Sequence, residues 1–215
     1  MINRKLRSIK LDSKIIRINT NNKNNFLNRI NNDYFSSKTN QENLLFVLEI
    51  SKKFKLERNL LIKTIQKFNG LKYRQQIIFK KNFLTIINDS KSTSFSSSIS
   101  LLKSYKNIYW LLGGIHKKGD NFNLPNEYFK NIKAFVYGKN KSFFVSKLKG
   151  KILYRNFKSL KDALKKILLI IKKEKFINKT ILFSPCAASF DEFKNFEDRG
   201  LYFNKLIKKY KNEIR

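Results

Sequence analysis

Cysteine is almost absent. Cys186 stands alone in 215 residues, so no intrachain disulfide can form and no site built from several thiolates can hold a metal. That usage suits a reducing compartment, and the chain is expected in the cytosol. Long apolar runs are missing too: the longest, such as Ile167 to Ile171, fall far short of the roughly 20 residues of a membrane-spanning helix, so no membrane role is expected. Histidine occurs once, at His116, and a solitary histidine is given no role. Proline (2) and glycine (7) are scarce beside Lys, Asn, Ile and Phe, the bias that a very AT-rich genome would encode. A phosphate-cradling G-x-x-x-x-G-K-[ST] loop is also lacking, because the Gly-Lys pairs at Gly138 and Gly150 run on into Asn140 and Ile152.

Acidic residues number 15 against 47 basic ones, for a net charge of +32 and a pI near 10.2. Such a balance ordinarily points to nucleic acid. Two features speak against it. Only nine of the basic residues are arginine, the side chain suited to bidentate phosphate and base recognition. The excess is also spread evenly, net +7 over residues 1–38 and +25 over 39–215, with no basic arm. Hydrophobic residues make up 41% of the chain, enough for a real core.

The first forty or so residues are Asn-rich with scattered apolar positions (Ile15, Ile16, Ile18, Phe26, Leu27, Ile30) and read as a linker or an edge of something larger. From Asn43 the apolar spacing becomes helical through Phe54, and again from Leu60 to Phe68 before Asn69-Gly70, which predicts a helical pair. Beyond Gly70, β-rich runs alternate with amphipathic ones, the signature of βαβ units around a largely parallel sheet. Strands are expected at 75–80, 83–88, 107–112, 132–137, 151–155 and 180–184, and helices near 95–103, 141–148, 159–174 and 190–211. Ser189-Phe190-Asp191-Glu192 fits a capping box and predicts the start of the last helix, with Phe193 facing the core.

In open α/β sheets ligands collect at the carboxyl ends of strands, and three segments there carry unusual chemistry. Asn88-Asp89-Ser90-Lys91-Ser92-Thr93 sets a carboxylate, an ammonium and hydroxyls behind an apolar run; an N-capped helix start would account for only part of it. Gly113-Gly114-Ile115-His116-Lys117-Lys118-Gly119 lets the backbone approach a ligand and offers a lysine to an anion. Ser184-Pro185-Cys186-Ala187-Ala188-Ser189 leads into the expected helix start, whose free N–H groups could meet a carboxylate.

Together these segments resemble the Mur ligases, and within them the branch that adds D-glutamate to the peptidoglycan precursor. The third is the most specific, running on through Phe190-Asp191-Glu192-Phe193-Lys194-Asn195-Phe196-Glu197-Asp198-Arg199-Gly200. Asn40-Gln41-Glu42-Asn43 and Gly70-Leu71-Lys72-Tyr73-Arg74 match the family's junction between central and C-terminal domains, so the likeness covers about 36–215. It implies an α/β fold with a Rossmann-like, mostly parallel sheet flanked by helices over 71–215, preceded over 1–70 by a helical remnant of the central ATPase domain. The activity it implies is ATP-dependent: an acyl phosphate forms on UDP-N-acetylmuramoyl-L-alanine and the amine of D-glutamate attacks it. Thr93, Lys117, Ser189, Phe190 and Phe196 would hold D-glutamate; Asn40, Asn43, Arg74 and Asp89 would contact ATP; Lys91 would lie near the reacting phosphate.

Thr39 and Tyr73 stand where the family usually has histidine. The family's phosphate-binding loop and magnesium ligands are expected upstream or on a separate polypeptide, so this chain alone is expected to be inactive and no metal ligand is assigned within it. A non-catalytic binding module of the same fold and a lysine-driven nucleic-acid binder are the alternatives.

Overall fold

The computed structural model describes Ile16, Ile18, residues 29–174 and residues 177–210. Most of the expected Asn-rich linker, Ile15, Phe26 and Leu27 included, lies outside these residues. Helix α1 (Lys38–Lys53) starts earlier than the apolar spacing suggests. The cause is Ser37, whose hydroxyl accepts from the Asn40 N–H at 3.3 Å and so extends the helix over the polar residues 38–42. The second helix, α2 (Arg58–Gln66), is capped by the Glu57 carboxylate. Leu44, Leu45, Leu48 and Ile65 form a small core between them.

The rest of the chain builds one six-stranded sheet from β1 (Gln76–Lys81), β2 (Leu84–Asn88), β3 (Ile108–Gly113), β4 (Ile132–Tyr137), β5 (Leu153–Asn156) and β6 (Lys179–Phe183). The order is β1-β2-β6-β3-β4-β5, with β1 antiparallel to β2 and every other pair parallel. All six strands and three of the four helices fall where the sequence puts them, to within two residues. Helices α3 (Phe95–Ser104) and α4 (Lys141–Leu148) cover one face, where Ile87, Trp110, Leu112 and Leu182 are buried. Helices α5 (Leu160–Lys173) and α6 (Phe196–Lys209) cover the other, over Ile86, Tyr109, Leu111 and Phe183. Successive strand residues point to opposite faces, so apolar neighbours such as Tyr109 and Trp110 feed two cores at once. Leu160, Ala163, Leu164, Ile167, Leu168 and Ile171 make the buried stripe of α5 at helical spacing.

One boundary differs clearly. The last helix begins at Phe196, six residues after the expected start. Asn195 is the cap that wins: its side chain accepts from the Asp198 N–H at 2.8 Å, and Glu197 and Asp198 sit in the first turn. At Ser189 the backbone carbonyl, not the hydroxyl, accepts from the N–H groups of Glu192 and Phe193, forming a turn that stays irregular to Asn195. Phe193 is consequently half-buried against Tyr202 and does not enter the core.

Candidate active site

Strands β2, β6 and β3 are neighbours, so their carboxyl ends bring the three polar segments side by side. Backbone hydrogen bonds join them: Gly113 N–H to Pro185 O at 3.1 Å, Ala187 N–H to Ser92 O at 3.3 Å, and a reciprocal Ile115–Ala188 bridge at 3.0 and 2.9 Å. The glycine pair is required for this approach. At Gly113 (φ 152°) a Cβ would stand 2.3 Å from Tyr137 O, and at Gly114 (φ 124°) 2.6 Å from Ala188 O.

Asp89 is buried at the root of the first segment. One carboxylate oxygen accepts from the Gln75 N–H at 3.0 Å and the other from the Ser184 hydroxyl at 2.7 Å. Burial pushes its pKa up to about 7, against the opposing effect of these bonds and of Arg74 and Arg199. Behind it Ser184, Ser98 and Ser92 form a chain of buried hydroxyls reaching Cys186, and burial pushes that thiol up as well. Helix α3 begins only after Ser94, with the Asp120 carboxylate accepting from the Phe95 N–H at 2.7 Å, which leaves 89–93 free as a loop.

Of the expected D-glutamate residues, Ser189 is buried, Phe196 half-buried, and Thr93, Lys117 and Phe190 exposed around the joined strand ends. The Lys91 ammonium lies 3.9 Å from the centre of the Phe196 ring, so those two are in direct contact. Free helix N–H groups at Ser189 are not part of the arrangement, because the helix starts after Asn195. His116 stacks on Phe143 with ring centres 3.9 Å apart, holding the Lys117 loop against α4.

The expected ATP residues divide. Arg74 and Asp89 share an electrostatic neighbourhood around Tyr34, and the Ser37 hydroxyl bonds Gln75, linking the start of α1 to Asp89. Asn40 is buried with its amide donating to Tyr34 O at 2.7 Å, and Asn43 is exposed one turn further along α1. Tyr73, at a φ of 61°, lies on Gly200 so closely that a Cβ there would come within 2.3 Å of its ring. Its carbonyl accepts from the Lys91 N–H at 3.0 Å, tying the Arg74 turn to the Lys91 loop. Among the described residues no group of three His, Cys, Asp or Glu side chains could hold a metal ion.

Sequence reasoning assigned nothing to Arg199, Ser184, Ser98 or Tyr137. Arg199 and Ser184 lay inside the quoted motif, but their burial depends on which strands become neighbours, and no local pattern marks that.

The chain is 35% identical over 178 residues to the UDP-N-acetylmuramoylalanine--D-glutamate ligase of Wolbachia sp. subsp. Brugia malayi, covering 82% of this chain and 35% of that protein. It is 37% identical over 172 residues to the enzyme of the same name from Francisella tularensis, covering 78% of this chain and 40% of that one. Over that matched stretch the chain is homologous to these two ligases. It therefore spans little more than a third of the length of these curated Mur ligases. No family model matches the chain. Two solved Mur ligases share its fold: UDP-N-acetylmuramate-alanine ligase MurC from Thermotoga maritima (TM-score 0.51, 14% identity, 82% of this chain and 38% of that one) and MurF from Acinetobacter baumannii (TM-score 0.58, 15% identity, 80% and 38%).

Proposed function

We propose that this Mur ligase chain is the D-glutamate-binding portion of an enzyme that adds D-glutamate to UDP-N-acetylmuramoyl-L-alanine in the cytoplasm. In this reading residues 71–215 are the amino-acid-binding domain and residues 1–70 the end of a central ATPase domain. The observation that carries it is the convergence of Lys91, Thr93, Lys117 and Ser189 at the ends of three adjacent strands, in a chain 35–37% identical to D-glutamate ligases. Lys117 and the Ser189 hydroxyl suit the two carboxylates of the amino acid, leaving its amine free. Thr93 and the Phe196 ring, backed by Lys91, would fix its orientation, and Phe190 would close over it. Asn40, Asn43, Arg74 and Asp89 would face ATP. Catalysis from this portion is positioning: the amine is held for attack on a carboxyl that ATP has already activated, and phosphate leaves as the amide forms.

Titration of the purified chain with D-glutamate, followed by NMR, tests the reading. Saturable binding that Lys117→Ala abolishes, with the fold intact by circular dichroism, is the expected result. Absence of saturable binding by folded wild-type chain would refute it. Adding a polypeptide that carries the remaining length of a Mur ligase is then expected to yield D-glutamate-dependent phosphate release.

A further inference from the structure

Arg199, in the first turn of α6, has 1% of its surface exposed. Its Nε donates to the Ser90 hydroxyl at 3.1 Å, and its Nη2 donates to Ser90 O at 2.7 Å and Ala187 O at 2.9 Å. Its Nη1 lies 3.3 Å from where a Cβ on Gly114 would stand. One guanidinium thus touches all three segments of the candidate site: the Lys91 and Thr93 loop through Ser90, the Ser189 loop through Ala187, and the Lys117 loop through Gly114.

The charge is not compensated. Nη1 is buried without a hydrogen-bond partner, as is the Tyr137 hydroxyl, whose ring carbons underlie Gly113. Among the described residues Arg199 makes no salt bridge, and its three partners are all neutral oxygens. Arginine cannot relieve this by losing its proton, and a buried cation is costly unless an anion accompanies it. Asp89 and Asp191 act on it through space without bonding to it. If the fork were needed only to fasten loops, a neutral donor would serve at lower cost.

We propose that Arg199 is a positioning and selectivity residue of the amino-acid site: its fork sets the spacing of the three loops, and its unpaired charge favours a dicarboxylic ligand over its neutral amide. The inference rests on the D-glutamate reading above. In the absence of ligand the cation lacks a full counterion, and a second carboxylate entering beside Lys117 and Ser189 supplies one through the thin layer of Gly113 and Gly114.

The test compares D-glutamate with D-glutamine, which differ by one charge, on the full chain and two variants, with melting curves to confirm folding. Wild type is expected to prefer D-glutamate. Arg199→Met, which keeps the length and removes the charge, is expected to reduce that preference about tenfold, a size in keeping with a through-space attraction between unit charges in a partly buried site. Arg199→Lys keeps the charge without the fork, and is expected to weaken both ligands about equally and preserve the preference. A merely structural arginine would lower both affinities together in the Met variant, and that result overturns the selectivity role. If Arg199→Met fails to fold, Arg199→Lys decides: wild-type affinities there overturn the positioning role, and a lost preference overturns the role of charge. Binding of neither ligand by folded wild type would instead refute the underlying D-glutamate reading, and this inference with it.

Discussion

Every residue of β3 is buried, whereas along α1 and at its C-cap the side chains of Phe46, Ile50 and Phe54 lie in solvent, Phe54 with 75% of its surface exposed. The sheet has helices on both faces and completes two cores from its own elements. The helix pair buries Leu44, Leu45, Leu48 and Ile65 and leaves Leu56 and Leu60 uncovered as well. Contiguous exposed apolar residues of this kind mark interaction surfaces more often than free ones. The difference separates a region whose stability is internal from one whose apolar face is only partly used.

The largest expected effect lies in the sheet. Trp110→Ala removes a fully buried ring whose indole N–H donates to Ser184 O at 2.8 Å, and should cost about 3–5 kcal/mol in chemical denaturation. An effect confined to one face, with α5 and α6 still protected, would contradict the view that the sheet region folds as a unit.

Asp89 gives a pH-dependent counterpart. Its folded pKa, about 7, lies above the ordinary 3.8, so between these values the native state holds a proton that the unfolded state has lost. Its contribution is therefore most favourable below about pH 4, falls as pH rises to 7, and is flat beyond, a span on the order of 4 kcal/mol. Asp89→Asn should flatten that slope in melts across the range, and an unchanged slope would place the titrating group elsewhere.

Leu48→Ala in α1 should cost about 2 kcal/mol, the low end for such a truncation, because so small a core can collapse around it. Hydrogen exchange should show faster amides in α1 and α2 and unchanged ones in β3; loss of protection in both would merge the two regions. Asn195→Ala should cost about 1 kcal/mol and Ser189→Ala much less, which checks by thermal melting where α6 begins. Smallest of all, Phe54→Ser should change stability by no more than about 0.5 kcal/mol in thermal melting, and a larger loss would show that Phe54 is part of the core of the helix pair.

The alternation of β-rich and amphipathic runs was legible because burial on a two-sided sheet leaves a periodic trace, and so strands such as 132–137 could be read directly. Lys91, Thr93, Lys117 and Ser189 could be named because they fall directly after such runs or inside a long motif. The start of α6 could not be chosen from local pattern, since Ser189 and Asn195 both offer a cap and only the turn at Ser189 excludes the first. Arg199 was hidden for a further reason: its partners Ser90 and Ala187 are brought to it by the insertion of β6 between β2 and β3, a pairing that leaves no periodicity in the sequence.

That insertion also governs how the chain can acquire its shape. Strand β6 is made about ninety residues after β2, yet it is the strand that joins the β1–β2 pair to β3, β4 and β5 in one sheet. Until Lys179–Phe183 has left the ribosome, β2 and β3 have open edges, and closing so long a loop is entropically slow. The nascent polypeptide therefore carries two open strand edges, one on β2 and one on β3, and its exposure to aggregation and to chaperones is set by the arrival of one five-residue segment.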